Sequence, residues 1–145
     1  MRIVLDSNIL ARAACGPPSP AAELLIRILR SPCTICMSPV LLDELNRILR
    51  YDRVRTMHRM QDSEIDSFID HLRLSCLIVE PAKSSTAIST DPDDDWVIAT
   101  AVQAESQVIC SLDRHLKTPA VIEYCQQRGI EVLSDVELLA RLKPA

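Results

Sequence analysis

Ile3-Val4-Leu5-Asp6-Ser7-Asn8 is the stretch on which the reading of this chain turns. Three consecutive apolar residues, two of them β-branched, suit a strand buried on both faces, as strands of a parallel sheet are. The run stops on a carboxylate. Open α/β sheets gather their ligands at the carboxyl ends of the strands, where strand order reverses. A buried strand that finishes on Asp needs a partner for that charge, or a bound ion. The competing reading makes Asp6 an Asx-turn or the cap of the next helix, a task that Ser7 or Asn8 can take instead.

Further short apolar runs follow at residues 34–37, Cys76 to Val79, Val108 to Cys110 and Glu131 to Leu133. Helical patterns lie between them. Ser19 caps a helix with Pro20 at its first position and Ala22, Leu25, Ile26 and Leu29 along one stripe. Ser38-Pro39 starts another that reaches about Arg50, with Leu41, Leu42, Leu45, Ile48 and Leu49 at helical spacing. Asp62 opens a third, carrying Ile65, Phe68, Ile69 and Leu72. Trp96 to Ala104, Pro119 to Gly129 and Asp135 to Leu142 complete the set, and Lys83 to Thr90 is polar and unassigned. Strands alternating with helices predict an α/β fold: a central, mainly parallel five-stranded sheet covered on both faces, in a single domain over 1–145.

Composition removes several function classes. Two glycines in 145 residues exclude a dinucleotide fingerprint and a P-loop. Aromatics at 3% argue against a platform that stacks several bases. The net charge of −4 argues against a generally basic nucleic-acid surface, although acidic metal ligands themselves lower that sum. Basic residues are concentrated instead: Arg47, Arg50, Arg53, Arg55 and Arg59 fall together with His58, opposed only by Asp52. That stretch is either a solvated helix end or a phosphate-contacting patch. The N-terminus runs straight into a strand, with no signal peptide and no membrane-length apolar run, so a cytoplasmic protein with free thiols is expected. Cys33-x-x-Cys36 lacks a second ligand pair and reads as core.

Four acids recur at element ends. At roughly 100° per residue, Glu44 sits at the edge of the leucine stripe centred on Leu45, whereas Asp43 points away; the competing reading pairs Glu44 with Arg47 one turn on. Asp91-Pro92-Asp93-Asp94-Asp95 reads as a helix start, with Asp91 as N-cap and Pro92 at the first position. Asp95 shares a face with Ile98, Ala99 and Val102, so it is preferred over Asp94 as the acid turned inward. Asp113 follows the fourth strand, after Ser111, much as Asp6 follows the first; its plain alternative is a turn Asp. His115 reads as turn or surface. If the first and fourth strands are neighbours, Asp6 and Asp113 open into one cleft. Carboxylates converging there repel strongly unless one or two Mg²⁺ or Mn²⁺ ions offset them, and hard divalent ions held by oxygen point to phosphoryl chemistry.

Asp6-Ser7-Asn8 after a first strand, Leu-x-Glu-Leu around Glu44, Asp-Pro-Asp-Asp-Asp before an Ala-rich helix and Ser111-x-Asp113 after a strand together resemble the PIN-domain family. The resemblance covers essentially the whole chain and is closest to the VapC-like toxins of toxin–antitoxin systems. It implies a three-layer α/β/α sandwich and Mg²⁺- or Mn²⁺-dependent hydrolysis of RNA. Carried over by motif, the catalytic metal ligands are Asp6, Glu44, Asp95 and Asp113, supported by Asn8 and Ser111. Arg47 and Arg50 are the expected phosphate contacts. A homodimer and a cognate antitoxin that fills the active-site groove are implied as partners. The rival readings are a structure-specific DNA nuclease, a catalytically inactive PIN-like binding domain and a receiver-like signalling module. The last needs a phosphoacceptor Asp after the third strand, where Val79-Glu80-Pro81 stands instead.

Overall fold

Each of the short apolar runs becomes a strand in the computed structural model, which describes residues 1–81 and 92–142, with only the backbone at 92–94. They are β1 (Arg2–Leu5), β2 (Thr34–Met37), β3 (Leu77–Ile78), β4 (Val108–Cys110) and β5 (Glu131–Leu133). All pairings are parallel, in the order β3-β2-β1-β4-β5. Ile3, Val4 and Leu5 have no solvent exposure, as expected of a strand covered on both faces. The helices are α1 (Ser7–Ala14), α2 (Pro20–Leu29), α3 (Pro39–Leu49), α4 (Asp52–His58), α5 (Asp62–Ser75), α6 (Pro92–Gln103), α7 (Pro119–Gln126) and α8 (Asp135–Arg141). Right-handed crossovers from β1 to β2 to β3 set α1–α5 on one face, and the return to β4 and β5 sets α6 and α7 on the other. Helix α8 packs against α2, back on the first face. The result is the expected three-layer α/β/α sandwich.

Boundaries differ from the sequence reading in small ways. β1 stops at Leu5, because Asp6 is already the extended N-cap residue of α1. Helix α6 begins at Pro92, the first helical position that the Asp-Pro start predicts, and so extends the apolar Trp96 to Ala104 stretch by a turn. The proposed Asp91 cap and the unassigned 83–90 stretch lie outside the described residues. Two helices were not anticipated, α1 and α4. Both are short and, unlike the equally short α7 and α8, start without a side-chain cap, so they depend on tertiary packing. α1 buries Ser7, Ile9, Leu10, Ala11 and Ala13.

Serine follows four of the strands, and each uses its hydroxyl. Ser38 caps α3 by accepting from the Leu41 amide (3.4 Å), and Ser134 caps α8 by accepting from Glu137 (3.1 Å). Ser7 donates to the Leu41 carbonyl (3.2 Å), which ties the start of α1 to the first turn of α3. Ser111 serves the site described below. Thr100 on α6 adds a buried contact to Ser38 Oγ at 3.0 Å. These hydroxyls join the elements at the carboxyl edge of the sheet, where exposed backbone amides need partners.

Candidate active site

The strand order reverses between β1 and β4, and Leu5 is paired with Cys110 across that seam. The Asp6 amide donates to the Cys110 carbonyl (3.0 Å), and the Asp6 carbonyl accepts from Ile9 and Leu10 (3.0 and 3.2 Å). Its backbone is therefore held on both sides, with the side chain at the switch point. Asp6 is 3% exposed. Ser111 donates from Oγ to Asp6 Oδ2 at 2.7 Å, and the same oxygen accepts from the Asp113 amide at 3.0 Å. One buried hydroxyl thus fixes one acid by its side chain and the other by its backbone. Asp113 in turn accepts at Oδ1 from the His115 amide (2.9 Å) and caps the 3₁₀ turn Arg114–Lys117.

Burial pushes the Asp6 carboxyl pKa above its ordinary value, and the nearby Asp113 charge pushes it further. The Ser111 hydrogen bond, with the Ser7 and Asn8 amides, pulls more weakly the other way. Burial also drives the Cys110 thiol up to about 12. Cys110 therefore stays protonated and behaves as a core residue.

Half-buried Glu44 lies three residues beyond Leu41, the anchor for Ser7, while Asp43 is exposed, as its helical phase predicts. Asp95 is half-buried in the first turn of α6. The Asp93 and Asp94 side chains lie outside the described residues. Among the described residues no three His, Cys, Asp or Glu side chains are grouped closely enough to hold an ion. The pair that the structure brings together is Asp6 and Asp113. In kind the donors suit a hard divalent cation: they are carboxylate oxygens, one of them buried beside a second acid that raises its pKa.

The basic stretch divides into two. Arg50 bridges α3 to α5, with Nη1 on Asp62 (3.0 Å), Nη2 on Asp66 (2.6 Å) and Nε on Asn46 (3.0 Å). Arg55 joins the same Asp62. His58 contacts the Leu49 carbonyl through Nε2 (2.7 Å) and accepts from the Met60 amide at Nδ1 (2.9 Å). These residues pin α4 and α5 to α3. Arg53 instead lines a cleft of about 630 Å³ together with Asn8, Arg12, Tyr51 and Asp113. Arg47 is exposed on α3. The pinning pairs are exposed enough to be screened, so Arg50→Ala should lower the thermal midpoint slightly at low ionic strength. A difference of the same size in high salt would contradict that account.

A model of the PIN domain matches residues 2–115. The chain belongs to the PIN-domain family. Comparison with curated proteins returned no match. Among solved structures, the PIN fold here is similar to a chain of VapBC2 from Rickettsia felis, determined bound to a DNA fragment from its promoter. That likeness has a TM-score of 0.58 at 14% identity, covering 92% of this chain and 98% of that one. A chain of VapBC-1 from nontypeable Haemophilus influenzae gives 0.55 at 16% identity, over 94% and 99%. FitAB bound to an IR36 DNA fragment gives 0.51 at 13%, over 92% and 94%. At such identities the likeness is one of fold.

Within this PIN domain, Arg12 and Tyr51 belong to the cleft although sequence reasoning did not single them out. For Arg12 a signal existed: once α1 is a helix, Arg12 lies one turn from Asn8 on the same face. Tyr51 had no local signal, because its place depends on how α3 turns into α4.

Ser111→Ala removes one hydrogen bond to each acid while leaving an apolar-sized side chain in a fully buried position. Residues that orient metal ligands typically contribute about 10–100-fold to activity or affinity. Should the two acids hold a metal for the nuclease activity general to PIN domains, a fall of that size in cleavage, with the circular dichroism spectrum unchanged, is the expected result; full activity would show that Ser111 has no orienting role.

Proposed function

We propose that this protein is a metal-dependent endoribonuclease and the VapC-like toxin of a toxin–antitoxin pair. The observation that carries the reading is the buried Asp6 at the switch point, held by Ser111 and facing Asp113. PIN domains as a family are generally metal-dependent nucleases, and the family match supports the coarse reading. Asp6 and Asp113 would hold Mg²⁺ or Mn²⁺, joined by Glu44 and Asp95, with Asn8 supporting them. A bound divalent ion supplies Lewis-acid activation of water and offsets charge developing on phosphate. The chain's own part is to orient the carboxylates through Ser111 and to keep Asp6 dry. Arg47, exposed on α3, is a phosphate contact in this reading, whereas Arg50 is already shared between Asp62 and Asp66. The choice of RNA and a homodimeric state rest on the resemblance; an antitoxin partner is further supported by the fold shared with VapBC and FitAB chains. Among the described residues no helix is long and apolar enough to cross a membrane.

The test is incubation of purified protein with single-stranded RNA and with flapped DNA, in Mn²⁺ or Mg²⁺ and in EDTA. Metal-dependent cleavage of RNA alone supports the reading. Cleavage of DNA alone would replace it with the DNA-nuclease reading, and no cleavage of either would favour an inactive binding domain.

A further inference from the structure

We propose that the cleft beside Asp113 is a subsite for one unpaired nucleobase of a single-stranded substrate, with Tyr51 as its stacking face and Arg12 and Arg53 as its phosphate contacts. This rests on the ribonuclease reading and deepens it. The cleft is continuous with the acidic site, because Asn8 and Asp113 form part of its wall. Its volume, about 630 Å³, falls within the range typical of small-molecule sites, roughly 300–1,000 Å³.

Its chemistry is that of a nucleotide. Tyr51 is 54% exposed and Met57, which also lines the cleft, is 57% exposed. The other aromatics are engaged: Arg128 lies 3.4 Å over the Tyr124 ring, and Trp96 and Phe68 pack against the core. Composition argued against a stacking platform, and the structure agrees to the extent that this cleft offers one aromatic face, enough for one base. Among the described residues neither Arg12 nor Arg53 has an ion-pair partner, whereas neighbouring Arg50 and Arg55 do. Two guanidiniums beside an apolar face, leading to a pair of acids, match a base and its flanking phosphates. In a duplex the faces of the bases are covered by their neighbours, so only an unpaired nucleotide can present one to Tyr51.

The experiment measures fluorescence anisotropy of a short fluorescein-labelled RNA in EDTA, where cleavage is blocked. It compares the single strand and its duplex on wild type, Tyr51→Ala, Tyr51→Phe and the Arg12→Gln/Arg53→Gln pair. Stacking on an aromatic side chain contributes about 1–3 kcal/mol, so Tyr51→Ala should weaken single-strand binding roughly 5- to 150-fold. Tyr51→Phe should stay within about twofold, since the ring is kept. The double Arg variant should bind more weakly and show a shallower salt dependence. The duplex should bind more weakly than the single strand. Tyr51→Ala binding like wild type, or a duplex bound as tightly, overturns the subsite. A Mn²⁺ cleavage assay on the same RNA separates the two levels. Wild type that cleaves while Tyr51→Ala binds unchanged overturns the subsite alone; wild type that neither binds nor cleaves overturns the ribonuclease reading with it.

Discussion

Asp6→Asn is expected to abolish cleavage and, in the same protein, to raise thermal stability at neutral pH. Outer partners of metal ligands already contribute about 10–100-fold, so if Asp6 holds the ion as proposed, its loss should exceed about 100-fold. The amide keeps the size of Asp6 and still accepts the Ser111 hydrogen bond. What it removes is a charge in a site with 3% exposure, facing Asp113. The sign with pH follows from the raised carboxyl pKa. Between the ordinary value of 3.8 and the raised native value, the folded state binds more protons than the unfolded one. The contribution of Asp6 to stability is therefore most unfavourable above the native value and is relieved as pH falls through that window. The Asn variant, uncharged throughout, should gain most at neutral pH and approach wild type near pH 3.8. Relief of a strained functional site commonly stabilises by roughly 0.5–2 kcal/mol, a rise of a few degrees in a domain of this size. Thermal melts in EDTA across pH read the effect. A variant that melts lower than wild type at neutral pH would show that the Asp6 charge is already satisfied by the protein. An active variant would remove Asp6 from the catalytic group.

Leu45→Ala should have the largest effect on folding itself. Leu45 is fully buried on α3 within the main core cluster. Its truncation loses both transfer free energy and packing around the cavity left behind, about 2–5 kcal/mol for Leu→Ala in a core. The thermal midpoint should fall by roughly 5–20 °C. Asp43→Ala, two residues earlier on the exposed side of α3, should stay within about 0.5 kcal/mol. If Glu44 is a metal ligand as proposed, it takes its orientation from the same helix, and activity of Leu45→Ala should decline before global unfolding as temperature rises. Equal melting of the two variants would contradict the assignment of the α3 faces.

Much of this molecule is legible in its sequence because the relevant signals are local. Continuous apolar triplets such as Ile3-Val4-Leu5 mark strands buried on both faces, and Ser-Pro pairs at 19–20 and 38–39 mark helix starts. The helical period separates Glu44 from Asp43. The carboxylate that ends β1 announces the switch point. α1 and α4 were not legible: unlike the equally short α7 and α8, which start on Thr118-Pro119 and a Ser134 capping box, neither has a side-chain cap, and both exist because the fold packs them.

The chain by itself therefore determined the strand set and the parallel α/β architecture, since each depends on neighbours a few residues apart. Tertiary structure alone decided which of those groups meet. β1 and β4 are about a hundred residues apart in sequence, yet their pairing lets one Ser111 hydroxyl serve both Asp6 and Asp113. It also divided one basic stretch, giving Arg50 and Arg55 to ion pairs with α5 and leaving Arg53 beside Arg12 in the cleft. Periodicity records which face of an element is buried; only the packing of elements against one another sets which buried faces share a space, and therefore where charge must be paired or left for a ligand.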